Sequence, residues 1–545
     1  MLTFWLFLLT ATLTSALVAP SSSSASVKLD NGIFNGKRDG GIERFYGIPF
    51  AKPPVDDLRL RLPQTIPVYS GQYDATKYGP ACTQADIDLP IPVGLAADTT
   101  NYLVNNIYGA AVPDSEDCLT LNVVRPASLP ANAKLPVLVW IFGGGYMIGS
   151  TSTYDGGLIV RRSLALNQPV IYVSMNYRLS GFGFLPGQEV KDAGVGNLGL
   201  HDQREAFRWI QKYISNFGGD STKVTIWGES AGSVSVSLHM LFNRGNTEGL
   251  FRAAFMESGA PLPVGGLAKG QKYYDLAVNE AGCSSANDTL ACLRVKPYET
   301  LKAAFNKAPG LISYQSLNFP FIPRADGVFF PDNFQKLVQQ GSVAKIPYII
   351  GNCDDEGTLF SLTTLNITTE AQLKTWIQTE FAPGTPDDAV DSILKMYPAD
   401  ITQGSPYDTG ILNALTPQFK RIASFQGDAA FQGPRRWLLQ NTVNSNPNIW
   451  SYLSKRMKAL PVVGSVHASD LLNVYGGGEM GDYLIRFATN LDPNGGFLTT
   501  WPKYTLQAQK LLTFYDGLIP LGITKDNFRQ LPIKSVTDAT LAFPI

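Results

Sequence analysis

The chain has 545 residues, enough for a large core, and its 44 basic and 45 acidic side chains nearly cancel at a charged fraction of only 16%. With no excess of Lys and Arg it lacks the basic patch that nucleic acid or an acidic surface requires of a partner. Its 51 Gly and 36 Pro mark many loops on a folded frame, because low-complexity sequence is confined to SSSSAS near the N-terminus.

The first element, MLTFWLFLLTATLTSALVAP, is an apolar run of signal-peptide length followed by small residues. It is too short for a membrane span, and no Lys or Arg precedes it. It predicts a signal peptide over 1–19, cleaved after Ala16 or near Ala19, and a secreted mature chain 20–545 with no integral membrane segment. The cysteines Cys82, Cys118, Cys283, Cys292 and Cys353 suit that oxidising compartment, and none has CxxC spacing, so no metal is expected. Cys283 and Cys292 are near enough in sequence to close a short loop, and Cys82 and Cys118 bracket a longer one; spacing leaves the connectivity open. Asn287-Asp-Thr289 and Asn366-Ile-Thr368 are glycosylation sequons expected on exposed loops.

Further along, LPVLVWIF (135–142) reads as a strand running into Gly143, and PVIYVSMNYR (169–178) as a buried central strand. DQREAFRWIQKYISNF places Ala206, Ile210, Tyr213, Ile214 and Phe217 on one helical face, with Asp202 as its N-cap and Gly218-Gly219 as its stop. VTIW (224–227), IPYIIG (346–351) and IWSYL (449–453) read as further strands. Strands alternating with helices predict an α/β fold with a mostly parallel sheet covered on both faces. Neither an internal repeat nor a Pro/Ser-rich linker divides the chain, which predicts one large catalytic domain with long insertions.

The strand at 224–227 ends in Gly-Glu-Ser-Ala-Gly and a helix-tolerant stretch follows, which is the pattern of a nucleophile elbow. Glycines flank such a serine because a Cβ there would collide with the neighbouring strand or helix. The turn lifts the Ser230 hydroxyl clear of the sheet and leaves the Ala231 amide free to donate. A serine needs a general base, and the chain has three histidines. His239 falls on the helix just after the elbow and His201 lies upstream of it. His467, in a loop after a strand, fits the order nucleophile, acid, histidine. The acid then lies between Ser230 and His467, and NCDDEGTLF offers Asp354, Asp355 and Glu356 after a strand; spacing does not separate the three. Asp470 competes but falls beyond the histidine. Three glycines after the strand at 135–142 can turn amides toward a developing oxyanion.

In order, FYGIPFAKPP, SEDCLTLNV, WIFGGG, NYRLSGFGFL, GNLGLHDQR, VTIWGESAGS, DEGTLF and HASDLL resemble the type-B carboxylesterase/lipase family over nearly the whole mature chain. The likeness is strongest to fungal secreted lipases and sterol esterases of the Candida rugosa type. The resemblance implies an α/β-hydrolase fold and a triad of Ser230, Glu356 and His467, selecting Glu356 over the two aspartates. It also implies an oxyanion hole of Gly144, Gly145 and Ala231, disulfides Cys82–Cys118 and Cys283–Cys292, and no cofactor. The loop 83–117 corresponds to a mobile lid, while 311–322 and 409–415 match stretches that line an acyl tunnel.

The expected activity is ester hydrolysis through an acyl-enzyme, on hydrophobic acyl esters at a lipid–water interface, by a monomer or weak homodimer. A feruloyl or other aryl esterase is the alternative, because Tyr146 stands where those lipases carry phenylalanine and brings a hydroxyl near the site. A non-catalytic adhesion protein on the same fold is the remaining alternative.

Overall fold

The structure is a computed structural model and describes residues 24–87, 98–100, 112–446 and 448–545. The expected signal peptide and the greater part of the expected lid, 88–97 and 101–111, lie outside the described residues. Among the described residues thirteen strands form one sheet. They are β1 (Ser24–Leu29), β2 (Asn31–Asp39), β3 (Ile42–Pro49), β4 (Ser70–Asp74), β5 (Thr120–Pro126), β6 (Leu135–Ile141) and β7 (Ile171–Met175). β8 (Gly219–Glu229), β9 (Ala253–Glu257), β10 (Tyr348–Cys353), β11 (Ile449–Lys455), β12 (Lys510–Tyr515) and β13 (Leu521–Lys525) follow.

The spatial order is β1-β2-β3-β5-β7-β6-β8-β9-β10-β11-β12-β13, with β4 on β2. From β7 to β12 every neighbour is parallel, whereas β1, β2, β3, β5 and β13 pair antiparallel at the two flanks. The sheet is thus mixed, with a parallel centre. The central strands are buried on both faces, since all five residues of β7 (IYVSM) and of β9 (AAFME) are buried, as a parallel sheet covered by helices requires. The four longer runs read from sequence correspond to β6, β7, β10 and β11.

The helix expected to start at Asp202 starts earlier, over Leu198–Tyr213, and Asp202 is not its N-cap. That carboxylate is buried and takes Nη2 of Arg178 at 2.7 Å and Nε at 2.8 Å. A buried bidentate ion pair outweighs a capping bond to a single amide. The predicted apolar face holds, since Ala206, Ile210, Tyr213, Ile214 and Phe217 are all buried. Gly218 stops the run at φ 85°, and Gly219 opens β8.

Cys82 is bonded to Cys118 and Cys283 to Cys292; Cys353 is free and buried. A second apolar cluster, centred on Trp376, Phe381, Ile422 and Phe425, packs under the helix Gln530–Ala542 through Val536.

Candidate active site

Ser230 sits between β8 and the helix Ala231–Gly245 with φ 54° and ψ −124°, a conformation outside the ordinary wells of an L-residue. Its neighbours show why glycine is required there. A Cβ on Gly232 would lie 1.9 Å from the Ile141 carbonyl oxygen, and one on Gly228 would lie 2.5 Å from the carbonyl carbon of Gly232. The corner is held by the Ser230 amide donating to the Glu257 carbonyl at 2.9 Å and by the Val234 amide donating to the Ser230 carbonyl at 2.8 Å.

The structure brings His467 and Glu356 together. Glu356 Oε2 is 2.6 Å from His467 Nδ1, and Glu356 Oε1 accepts from the Ser258 hydroxyl and the Cys353 amide, each at 2.6 Å. Asp354 and Asp355 point elsewhere, both paired with Lys458, at 2.6 and 2.7 Å. Asp355 further accepts from Ser405, Tyr407 and Ser465. Asp470 is buried and takes the Tyr452 hydroxyl at 2.7 Å, and burial lifts its carboxyl to about 6. His201 lies edge-to-face on Phe329 with centroids 4.6 Å apart, and His239 is hydrogen-bonded to Gln203 at 2.8 Å, so neither joins this group.

Gly144 and Gly145 have φ 103° and 62°. A Cβ would lie 2.3 Å from the Ile148 carbonyl oxygen at the first and 2.4 Å from Leu311 at the second. Among the described residues no acceptor takes the amides of Gly144, Gly145 or Ala231. Ala231 opens its helix, where the first amides lack intrahelical partners.

The serine, the histidine and the three amides face one cavity of about 690 Å³, and Glu356 stands behind His467 outside its lining. Ser230, His467, Gly144, Gly145 and Ala231 meet there, and the rest of the wall is largely apolar, including Leu311, Ile312, Leu317, Phe319 and Ile322 from the stretch 311–322. The stretch 409–415 does not reach the cavity: Ile411 and Leu412 are 66% and 67% exposed, so these residues form an outer surface instead. Val112, at the end of the expected lid, lines the cavity, and Thr99 donates to the Pro461 carbonyl at 2.9 Å.

Tyr146 lines the cavity with its ring packed on Phe184, while its hydroxyl accepts from Ser235, which does not line the cavity. Cys353 is buried, outside the lining, and burial pushes its thiol well up, so it is no nucleophile. Asn287 and Asn366 are both exposed.

Two groups at the site were not singled out from sequence. Ser258 follows β9 and carries no motif of its own. Glu229 stands inside the elbow motif beside Ser230, and its Oε1 lies 3.3 Å from His467 Nε2. Burial raises the Glu229 carboxyl to about 8, against the opposing pull of His467. Burial alone would lower His467, but the charges of Glu229 and Glu356 overturn that and raise it to about 9. Among the described residues no cluster of His, Cys, Asp and Glu could hold a metal ion, and no helix is long and apolar enough to cross a membrane.

Comparison with known proteins follows the same lines. The family model described as "Carboxylesterase family" matches residues 23–519. The chain is 44% identical to "Lipase 4" of Diutina rugosa over 507 residues, covering 89% of this chain and 91% of that one. It is 42% identical to "Secreted lipase 1" of Botryotinia fuckeliana (90% and 88% covered) and 40% identical to "Secreted triacylglycerol lipase LIP1" of Gibberella zeae (95% and 90%). Among solved structures, EstA of Aspergillus niger superposes with a TM-score of 0.81 at 26% identity, covering 95% of this chain and 99% of that one.

Proposed function

The chain belongs to the carboxylesterase family, and on that premise we propose that it is a secreted serine hydrolase cleaving hydrophobic carboxylic esters, a lipase or sterol esterase working through an acyl-enzyme. The observation that carries this reading is one cavity that holds a serine on a left-handed elbow, a histidine bonded to a buried glutamate, and three unoccupied amides.

In this reading His467 Nε2 takes the Ser230 proton as the oxygen attacks the ester carbonyl carbon. The resulting oxyanion is met by the amides of Gly144, Gly145 and Ala231. Collapse breaks the acyl–oxygen bond, and His467 returns the proton to the leaving alcohol. Water then repeats the sequence on the acyl-enzyme, releasing the acid and restoring Ser230. Glu356 orients the imidazole through Nδ1 and stabilises the imidazolium between the two proton transfers.

An apolar wall supports a hydrocarbon acyl group. The N-terminal apolar run, the two disulfides and the likeness to relatives named as secreted lipases support export. Ser230→Ala tests the assignment: turnover of a soluble ester is expected to fall about 10⁴-fold or more with the fold intact, and a variant keeping a tenth of the parental rate would exclude Ser230 as nucleophile. An emulsified long-chain ester assayed beside soluble methyl ferulate separates the acyl classes, and preference for the ferulate would reassign the enzyme to aromatic esters.

A further inference from the structure

Residues beyond the helix Gln530–Ala542 return to the cavity, and Ile545 forms part of its wall. Its backbone is fixed from two sides. The Ile545 amide donates to the Pro263 carbonyl at 2.9 Å, and the Gly265 amide donates to the main-chain oxygen of Ile545 at 2.7 Å. A donor and an acceptor that straddle Val264 are the pattern of a parallel pair, which sets Ile545 beside Val264; both residues line the cavity. Nη1 of the buried Arg324 adds a third bond to the Ile545 oxygen at 3.2 Å, and Lys269 Nζ holds the Pro544 carbonyl at 2.9 Å.

Behind this wall Ile545 packs against the second apolar cluster, two of whose members, Phe381 and Ala429, also line the cavity. The wall is tied to the reacting centre by a short piece of chain. Gly259 abuts the elbow, where its Cβ would lie 2.5 Å from the Ser230 carbonyl oxygen. From there the chain runs five residues to Val264, a reach of up to about 17 Å. Neither Val264 nor Ile545 hydrogen-bonds to the triad residues or the three amides.

We propose that Ile545 is a specificity-determining residue, a fixed apolar stop that sets how long or bulky an acyl chain the cavity accepts. The proposal rests on the ester-hydrolase reading above. Because the main chain is locked by three bonds, the side-chain volume at this position, rather than its mobility, sets the limit. Enlarging it shortens the accepted chain, and removing it lengthens it.

The test compares kcat/KM on p-nitrophenyl butyrate, laurate and palmitate for the full-length parent, Ile545→Trp and Ile545→Ala. Ile545→Trp is expected to lower the palmitate-to-butyrate ratio about tenfold or more, the usual scale of discrimination in an apolar pocket. Ile545→Ala is expected to raise that ratio. If Ile545→Trp fails to fold, Ile545→Ala decides alone. Unchanged ratios in the variants, or an equal loss on all three esters in Ile545→Ala, would overturn the stop. Failure of the parent to turn over any of the three esters, or equal turnover by Ser230→Ala, would instead overturn the ester-hydrolase reading and the stop with it.

Discussion

Oε1 of Glu229 lies 3.3 Å from Nε2 of His467, so the imidazole stands between two carboxylates, with Glu356 at 2.6 Å from Nδ1. The two acids differ in what surrounds them. Glu356 has both oxygens occupied, by His467, Ser258 and the Cys353 amide, whereas Glu229 Oε1 has no hydrogen-bond partner among the described residues. A satisfied acid is suited to fixing the ring, and an unsatisfied one beside Nε2 acts mainly through its charge.

That charge gives the first prediction, for Glu229→Gln. A general base must be neutral to accept a proton, so kcat/KM rises with pH through the His467 pKa. His467 is raised to about 9, with Glu229 foremost among the groups that raise it. Removing the charge lets the His467 pKa fall, and the acid limb of the pH profile moves to lower pH. A pH series of kcat/KM on a soluble ester measures it. Near pH 9 a carboxyl raised to about 8 is ionised, so an unmoved limb would show that the Glu229 charge does not hold the His467 pKa up.

Ser258→Ala removes one of three donors from Glu356 without touching the reacting atoms. A hydrogen bond to a charged acceptor is worth about 1.5–3 kcal/mol, so kcat is expected to fall about ten- to a hundredfold as Glu356 loosens its hold on the ring. KM should stay near the parental value, because the loss falls on the imidazolium formed in the transition state. A rise in KM with kcat intact would show Ser258 contributing to substrate binding instead.

Tyr146 separates two readings of the substrate. Its hydroxyl accepts from Ser235 at 3.2 Å inside the core, so it is not offered to a ligand in the cavity. Tyr146→Phe is therefore expected to leave the ratio of alkanoyl to feruloyl turnover unchanged while lowering stability by about 1 kcal/mol, the value of one buried hydrogen bond. Loss of feruloyl turnover alone would restore the aromatic-ester reading. Denaturant titration and paired assays measure the two effects.

What the sequence makes legible follows from where a constraint is local. The elbow shows in five residues because backbone crowding at Gly228 and Gly232 admits no side chain, and that prohibition is written directly in composition. The apolar strands of the parallel centre show for a similar reason, being buried on both faces. Asp202 reads as a cap from its local pattern because its partner Arg178 lies on another segment, and no local pattern reports a distant ion pair. Asp354, Asp355 and Glu356 are inseparable by spacing, yet Lys458 draws the first two away while Glu356 meets His467. The stretch 409–415 has a core-like composition and lies on the surface, whereas Ile545 carries no signal and reaches the cavity through long-range bonds to Pro263 and Gly265.

Stability at acid pH provides the last prediction, at Asp526. This buried carboxylate takes Arg435 at 2.8 Å and Arg436 at 2.7 Å, with the Tyr504 hydroxyl at 3.1 Å. Burial alone would raise its pKa, but the two guanidinium groups overturn that and hold the carboxyl far below the usual range. A depressed folded-state pKa contributes stability that is complete above the unfolded value, about 3.9, and is lost as pH falls through the folded one. Asp526→Asn leaves two buried arginines without a counter-charge and is expected to cost about 3–5 kcal/mol near neutrality. The gap between parent and variant should narrow below about pH 4, where unfolding protonates the parental aspartate. Urea titrations across that range measure it, and a gap that stays constant down to the lowest accessible pH would show that Asp526 acts through packing rather than charge.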